Sequence, residues 1–336
     1  MGAADGNNKI DFVLIWVDGA DPEWRAEKSL YDGSAVSGNT DVRFRDWDNL
    51  QYWFRGVEKF APWVNRIHFV TWGHLPQWLD TSAPKLNIVN HKDFIPHEYL
   101  PTFNCNPIEL NLHRISGLAE QFVYFNDDMF VTAPTEPEDF FINGHPCDTY
   151  GLNCIFFVED SVGHINGSDL EQINNHFKSS KAVIRANRSK WYSRKNGFKN
   201  NIKTRMLSTW DWFPGFHYDH LPTCFLKSTY EEVWEKCTDA LVQTCKCRFR
   251  SGLNVNQWLM KYWQLCKGIS EPRREIGRVY HLKDDEIPKA LAAVEEGKHK
   301  LICLNDTAMT ADFEETSRAV RESFEKLLPE RSSFEK

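Results

Sequence analysis

Apolar and polar positions alternate in blocks along the first half of the chain, in a rhythm that reads strand, helix, strand. Residues 10–17 (IDFVLIWV) form a short, nearly unbroken apolar run, the pattern of a parallel strand buried on both faces. The run ends in a turn-forming cluster, Asp18-Gly19-Ala20-Asp21-Pro22. Residues 48–60 then repeat apolar positions at helical spacing (Leu50, Phe54, Val57, Phe60), and Ala61-Pro62 stops them. Two further strands are expected at 66–71 and 86–89. A helix capped by Asn106, with Pro107 in its first turn, should run to about Glu120. Residues 122–125 are the next strand, entering Asn126-Asp127-Asp128. The alternation predicts an α/β fold, a mainly parallel sheet with helices on its faces. In such sheets ligands sit beyond the carboxyl ends of the strands, and Asp18 and Asp127-Asp128 stand at two of those ends.

The second half is less regular. The stretch from 172 to 210 reads as partly helical, with a turn at Asn196-Gly197. Ser228 to Glu231 has the spacing of a capping box, opening a helix through Val233, Trp234 and Leu241. Residues 253–266 form an aromatic helix ending before Gly268, and 310–328 an acidic amphipathic helix suited to docking on the rest.

Composition changes this picture in two places. The 336 residues carry a formal charge of −7, which argues against a nucleic-acid binder. Yet the segment 172–210 holds ten basic residues and no acidic one, so an anionic polymer, acceptor or membrane surface is a natural partner for it. No apolar run is long enough to cross a membrane, and the first eight residues lack the apolar core of a signal peptide. The nine cysteines are scattered and fit reduced thiols in a cytoplasmic protein, free or peripheral to the inner membrane.

The chemistry-bearing candidates each have a plainer alternative. An Asp-Asp pair after a strand suits a hard cation that completes its shell with phosphate oxygens, but it can also simply close a turn. Arg43-Phe44-Arg45-Asp46 could grip phosphate bidentately or only cap the helix that follows. His217 and His220 could be zinc ligands, though no third ligand is evident nearby, could transfer protons, or could be structural histidines, and Arg248 and Arg250 could be a snorkelling basic pair.

Taken together, these segments resemble the Stealth family of sugar-phosphate transferases. The run 10–21 resembles the family's opening block. Residues 43–46, continuing through Arg55, 61–64, 67–71 and 91–93, resemble the second block. Leu100 to Phe103, Ile108-Glu109, His113-Arg114 and 122–130 resemble the third. The fourth rests on His220-Leu221-Pro222, Arg248 or Arg250, and Tyr262-Trp263. The resemblance spans roughly 10–267. It implies a glycosyltransferase-A-like, Rossmann-related fold. It also implies transfer of a hexose-1-phosphate, such as GlcNAc-1-phosphate, from a UDP-sugar to a hydroxyl of a saccharide, polysaccharide or glycoconjugate. UMP would leave, with Mg²⁺ or Mn²⁺ as cofactor, in capsule or cell-surface polysaccharide synthesis. The residues implied are Asp127 and Asp128 for the metal, with Asp128 also a candidate base. Asp18, with Trp16 and Gly19, would line the donor pocket. Arg45 with Asp46, Arg114, Arg248 and Arg250 would serve phosphate, and His220 proton transfer or phosphate stabilisation.

The domain reading is a disordered N-terminus at 1–9 and one catalytic domain at 10–309 that includes a basic helical insert at about 165–210. A C-terminal amphipathic helix at 310–336 completes it. Trp47-Asp48-Asn49 departs from the family's usual polar turn, which leaves sugar and acceptor open. Two other readings share these residues. A glycosyltransferase would release UDP instead of UMP, and an inactive carbohydrate-binding homologue would release nothing.

Overall fold

The computed structural model describes residues 9–31, 44–158, 162–307 and 312–336. Arg43 and nearly all of the expected disordered N-terminus lie outside the described residues. The strands, in chain order, are β1 (Ile10–Ile15), β2 (Arg66–Thr71), β3 (Leu86–Asn90), β4 (Gln121–Phe125), β5 (Met129–Val131) and β6 (Phe141–Ile142). They continue with β7 (His145–Asp148), β8 (Thr223–Leu226), β9 (Glu271–Pro272), β10 (Gly277–Leu282) and β11 (Leu301–Asp306).

The main sheet has the order β3-β2-β1-β4-β8. Its first four strands are parallel, with Phe12 opposite both Ile67 and Val123. Strand β8 closes the edge antiparallel to β4, Thr223 opposite Tyr124. Because side chains alternate across a strand, Phe12 and Leu14 join one core cluster and Val13 the other; Val123 and Phe125 oppose Phe122 and Tyr124 in the same way. Burial on both faces explains the unbroken apolar runs of these strands. The chain is therefore α/β with a mainly parallel central sheet.

A second sheet, β10-β11-β5, is joined to the first through the Asp-Asp turn, since β4 ends on one side of it and β5 begins on the other. Strand β11 runs antiparallel to β5. A third small sheet has the order β6-β7-β9.

Several helices differ from their sequence patterns. The helix expected from Asn106 to about Glu120 is capped two residues earlier, by Asn104, whose side chain accepts from the Asn106 N–H; it spans Cys105–Asn111. A 3-10 turn at Leu112–Arg114 follows, and Gly117 with positive φ ends any continuation. The capping box at Ser228 does not form, because the Ser228 N–H and hydroxyl both turn to the Glu120 carboxylate. Two helices, Lys227–Lys236 and Thr238–Cys245, take the place of one, and the aromatic helix starts only at Trp258 and ends on left-handed Gly268.

The C-terminal helix Phe313–Leu327 packs Val320 and Phe324 into the first core cluster. Arg55, nine-tenths buried on the helix Leu50–Phe60, holds the tail in place. Its guanidinium donates to Glu335 through Nε and Nη2, both at 2.9 Å, to Glu325 at 2.9 Å and to the Leu328 carbonyl at 2.8 Å.

Candidate active site

At the carboxyl end of β1 the chain leaves the sheet through Trp16 and turns at Asp18. The Asp18 N–H donates to His74 Nε2 at 2.7 Å, which requires an imidazole unprotonated at that nitrogen. Burial holds the His74 pKa below its ordinary value despite Asp21 and Asp18 nearby, in keeping with a neutral acceptor. Trp16 is buried, stacked on Phe69 and edge-on to His74, so it buttresses this turn from inside rather than offering an open stacking face. Gly19 is also buried, and a Cβ there would overlap the carbonyl oxygen of Phe44. Only glycine allows the 44–48 segment to lie this close, and that segment carries Asp46.

At the end of β4 the turn is closed by the Met129 N–H donating to the Asn126 carbonyl at 3.2 Å. It is fastened to β11 by the Leu304 N–H donating to the Asp128 carbonyl at 2.9 Å. The buried Tyr124 hydroxyl bonds Asn126 Oδ1 and lies 3.1 Å from Glu109 Oε1. Asp128 Oδ2 meets His220 Nε2 at 3.2 Å and accepts from Cys303 Sγ at 3.3 Å. Asp128 Oδ1 is buried without a hydrogen-bond partner. Burial, then the Asp128 charge, drives the Cys303 thiol far above its ordinary range, so it stays an S–H donor. Burial lowers the pKa of His220, but Asp128 outweighs it and the net shift is upward.

Acids gather around this pair. Asp127 reaches solvent at a crowded spot, where the surrounding protein and then the charges of Asp128 and Asp46 push its carboxyl up to about 7. Asp46 is raised in turn, by its surroundings first and then by Asp48 and Asp18. The ends of β1 and β4 are thus linked electrostatically through Asp46. The residue before His220 is anchored too: Asp219 lies 3.4 Å from the buried Lys261 Nζ, itself 3.3 Å from Asp148.

The arginines separate. Arg250 donates to Cys105 Sγ at 3.2 Å and acts electrostatically on His220 and Glu109, which places it beside the pair. Arg248 is exposed and stacks over Tyr31 at 4.7 Å, on an aromatic wall that runs through Phe103 and Trp24 to Phe44 near Gly19. Arg45 is taken up by Asp306 in a bidentate pair, Nε and Nη2 both at 2.7 Å, and lies over the Phe313 ring. Arg114 is not brought to the acids: it follows the helix Cys105–Asn111 at the amino end of β4 and stacks on Trp234 at 4.9 Å.

Asp128, His220 and Cys303 present donor atoms within 4.8 Å of one another and could hold a metal ion. The oxygen donors fit a hard cation best. Asp128 Oδ1 lacks a partner and Asp127 sits beside the negative charges of Asp128 and Asp46, both of which a divalent cation would relieve, whereas a protonated thiol is a poor ligand.

Sequence reasoning assigned no role to His74, Cys303 or Glu109. Glu109 left a trace only as part of the third block of the family resemblance. It is buried and bonded to Tyr124 and to the Gln257 N–H. Cys303 left none, since a cysteine in the buried run 301–304 looks like ordinary core.

Two family models match the chain: Stealth protein CR1, conserved region 1, over residues 8–35, and Stealth protein CR2, conserved region 2, over 43–147. The receptor polysaccharide phosphotransferase WefC of Streptococcus gordonii is 43% identical over 97% of this chain and 99% of its own length. The capsular polysaccharide phosphotransferase WcwK of Streptococcus pneumoniae is 39% identical over 98% and 99%. The exopolysaccharide phosphotransferase cps2G of Lactiplantibacillus plantarum is 38% identical over 97% and 96%. Among solved structures, the galactosyltransferase LgtC aligns over 93% of this chain and 95% of its own, at 10% identity and a TM-score of 0.38. The identity to the three phosphotransferases runs from one end of the chain to the other, and the chain is an enzyme of the Stealth family.

Proposed function

We propose that the chain transfers a hexose-1-phosphate, such as GlcNAc-1-phosphate, from a UDP-sugar to a hydroxyl of a saccharide, polysaccharide or glycoconjugate, in the making of a capsule or other cell-surface polysaccharide. The observation that carries this reading is the Asp128–His220 pair at the carboxyl end of β4, with Asp18, Asp46 and Asp127 drawn in around it. A proton-handling pair beside a cation-attracting cluster suits phosphoryl transfer, where positioning and charge stabilisation do most of the work.

In this reading the acceptor oxygen attacks the sugar-proximal phosphorus. A new P–O bond forms, the P–O bond to UMP breaks, and UMP leaves with that electron pair. His220 takes the acceptor's proton, since Asp128 both orients it and stabilises its charged form. Arg250 offsets charge on the phosphoryl oxygens. Asp18 and Gly19 shape the donor side, with Arg248 at its rim and Asp46 facing the same space. Asp127 and Asp128 would hold Mg²⁺ or Mn²⁺, which when bound supplies positive charge to the pyrophosphate. Arg45 serves this site by fixing the 44–48 segment to β11, a support role in place of direct phosphate contact.

We assign this chemistry to one catalytic unit over 10–309, with 310–336 as its docked tail. The donor, a saccharide acceptor and an anionic partner for the basic stretch are its partners, and a cytoplasmic enzyme is the setting in which UDP-sugars are at hand. No helix among the described residues is long and apolar enough to cross a membrane. Incubating the protein with a panel of UDP-sugars, an oligosaccharide acceptor and Mg²⁺ or Mn²⁺ tests the proposal. UMP release with a phosphodiester product is expected; UDP release would replace it with ordinary glycosyl transfer.

A further inference from the structure

The helix Phe198–Leu207, inside the basic stretch, is built inside out. A surface helix ordinarily buries its apolar stripe and shows its polar face. Here the face against the protein is polar except for Leu207, which packs on a core cluster at the helix end. Asn200 Nδ2 donates to the Tyr150 carbonyl at 2.7 Å, Thr204 Oγ1 accepts the Leu152 N–H at 3.1 Å, and Asn201 Nδ2 donates to the Ser193 carbonyl at 2.9 Å. Phe198, Ile202 and Met206, spaced by four and so on one face, turn to solvent at 80%, 46% and 68% exposure. Trp210 and Trp212, just beyond the helix, are each 55% exposed. The side-chain bonds that dock the helix also fix its rotation, so these apolar groups cannot turn inward without breaking them.

Charge surrounds the stripe. Arg194, Lys195, Lys199, Lys203 and Arg205 are exposed, and among the described residues none of them is ion-paired. The pairs that do form nearby are Lys181 with Asp211 and Lys190 with Glu271. An apolar stripe with two tryptophans, set among unpaired lysines and arginines, matches the two-part chemistry of an anionic lipid bilayer: acyl chains for the stripe, headgroup charge for the bases. A dissolved anionic polymer would meet the charge but leave the stripe in water.

We propose that the 198–212 face seats the protein on an anionic membrane surface, with Phe198, Ile202 and Met206 entering the acyl boundary and the basic residues reaching the headgroups. The proposal narrows the anionic partner named above to a lipid surface and is otherwise independent of the chemistry assigned to the site. The chain runs from Trp212 through a buried segment into the 217–220 loop, which ties the docking face in sequence to the loop that carries His220.

Flotation of the full chain with vesicles tests it, using phosphatidylcholine alone and phosphatidylcholine with phosphatidylglycerol. The native protein should float with the anionic vesicles, and the combined Phe198→Ser, Ile202→Ser, Met206→Ser variant should partition on the order of 10- to 100-fold less. A Lys199→Glu, Lys203→Glu variant should lose the preference for the anionic vesicles. Circular dichroism and turnover of soluble donor and acceptor should stay native in both variants, which separates this proposal from the catalytic one. The proposal is overturned if the native protein ignores anionic vesicles at low salt, or if the triple variant binds them equally well. It is overturned too if the triple variant's only change is loss of a dimer in sedimentation, or of retention on an anionic polysaccharide.

Discussion

His74 Nε2 accepts the backbone N–H of Asp18 at 2.7 Å, so the loop after β2 sets the position of the first acid after β1. Replacing His74 with phenylalanine keeps a ring against Trp16 but strands the N–H, at a cost of about 1–3 kcal/mol. We expect the donor KM to rise more than kcat falls, because the turn shapes the donor side rather than the proton transfer. Steady-state kinetics with varied UDP-sugar checks this, and a loss confined to kcat would count against it.

Gly19 offers a sharper test of the same wall. Gly19→Ala pushes a methyl group into the Phe44 carbonyl, so the 44–48 segment must move and carry Asp46 away from Asp127. Overpacking of this kind costs about 1–3 kcal/mol of stability. Turnover should fall by about 10²-fold, since small displacements at a site are expensive, while circular dichroism stays native.

Arg45 and Arg250 should behave differently on truncation to alanine. Loss of Arg45 removes the partly exposed pair with Asp306 and should cost about 1 kcal/mol, read as a fall of about 2 °C in Tm, with a smaller kinetic loss than Gly19→Ala because the contact with Gly19 still holds the 44–48 segment. Loss of Arg250 should lower kcat on the order of 10²-fold or more. Equal kinetic damage from both would return Arg45 to the phosphate.

Chelation with EDTA should abolish turnover, and added Mn²⁺ or Mg²⁺ should restore it. Asp128→Asn should lose both turnover, by on the order of 10³-fold, and Mn²⁺ binding followed by electron paramagnetic resonance. Undiminished Mn²⁺ binding in that variant would move the metal away from Asp128.

Acid should weaken the fold through two buried histidines. Burial lowers the pKa of His91 to about 3, and burial with Arg114 nearby does the same for His113. In the unfolded chain both take up protons below about pH 6.5. Their contribution is therefore complete above pH 6.5 and is lost as pH falls toward 3, by about 1.4 kcal/mol per pH unit for each. Urea unfolding at pH 7.5 and 5.5 should reveal the slope, and His91→Gln with His113→Gln should flatten it.

The sheet was readable because buried parallel strands leave unbroken apolar runs, and their carboxyl ends pointed to Asp18, Asp127 and Asp128. Partners that arrive from afar were not readable. Cys303 reaches Asp128 across 175 residues, on a strand whose own pattern is only that of a core. The arginines show the limit from the other side: an isolated Arg carries no sign of whether Asp306 or a ring will claim it. The inverted helix 198–207 was visible only as charge, because its apolar stripe looks like any core face until the structure shows which side is docked.

The Asp-Asp turn belongs to two sheets at once, and among the described residues β5 pairs only with β11. During synthesis the turn emerges well before the strand that fastens it through Leu304 and Cys303, the latter 175 residues further on. The enzyme therefore acquires its working geometry only once residues 303 and 304 are made, and any nascent or truncated chain ending before residue 301 would be born inactive.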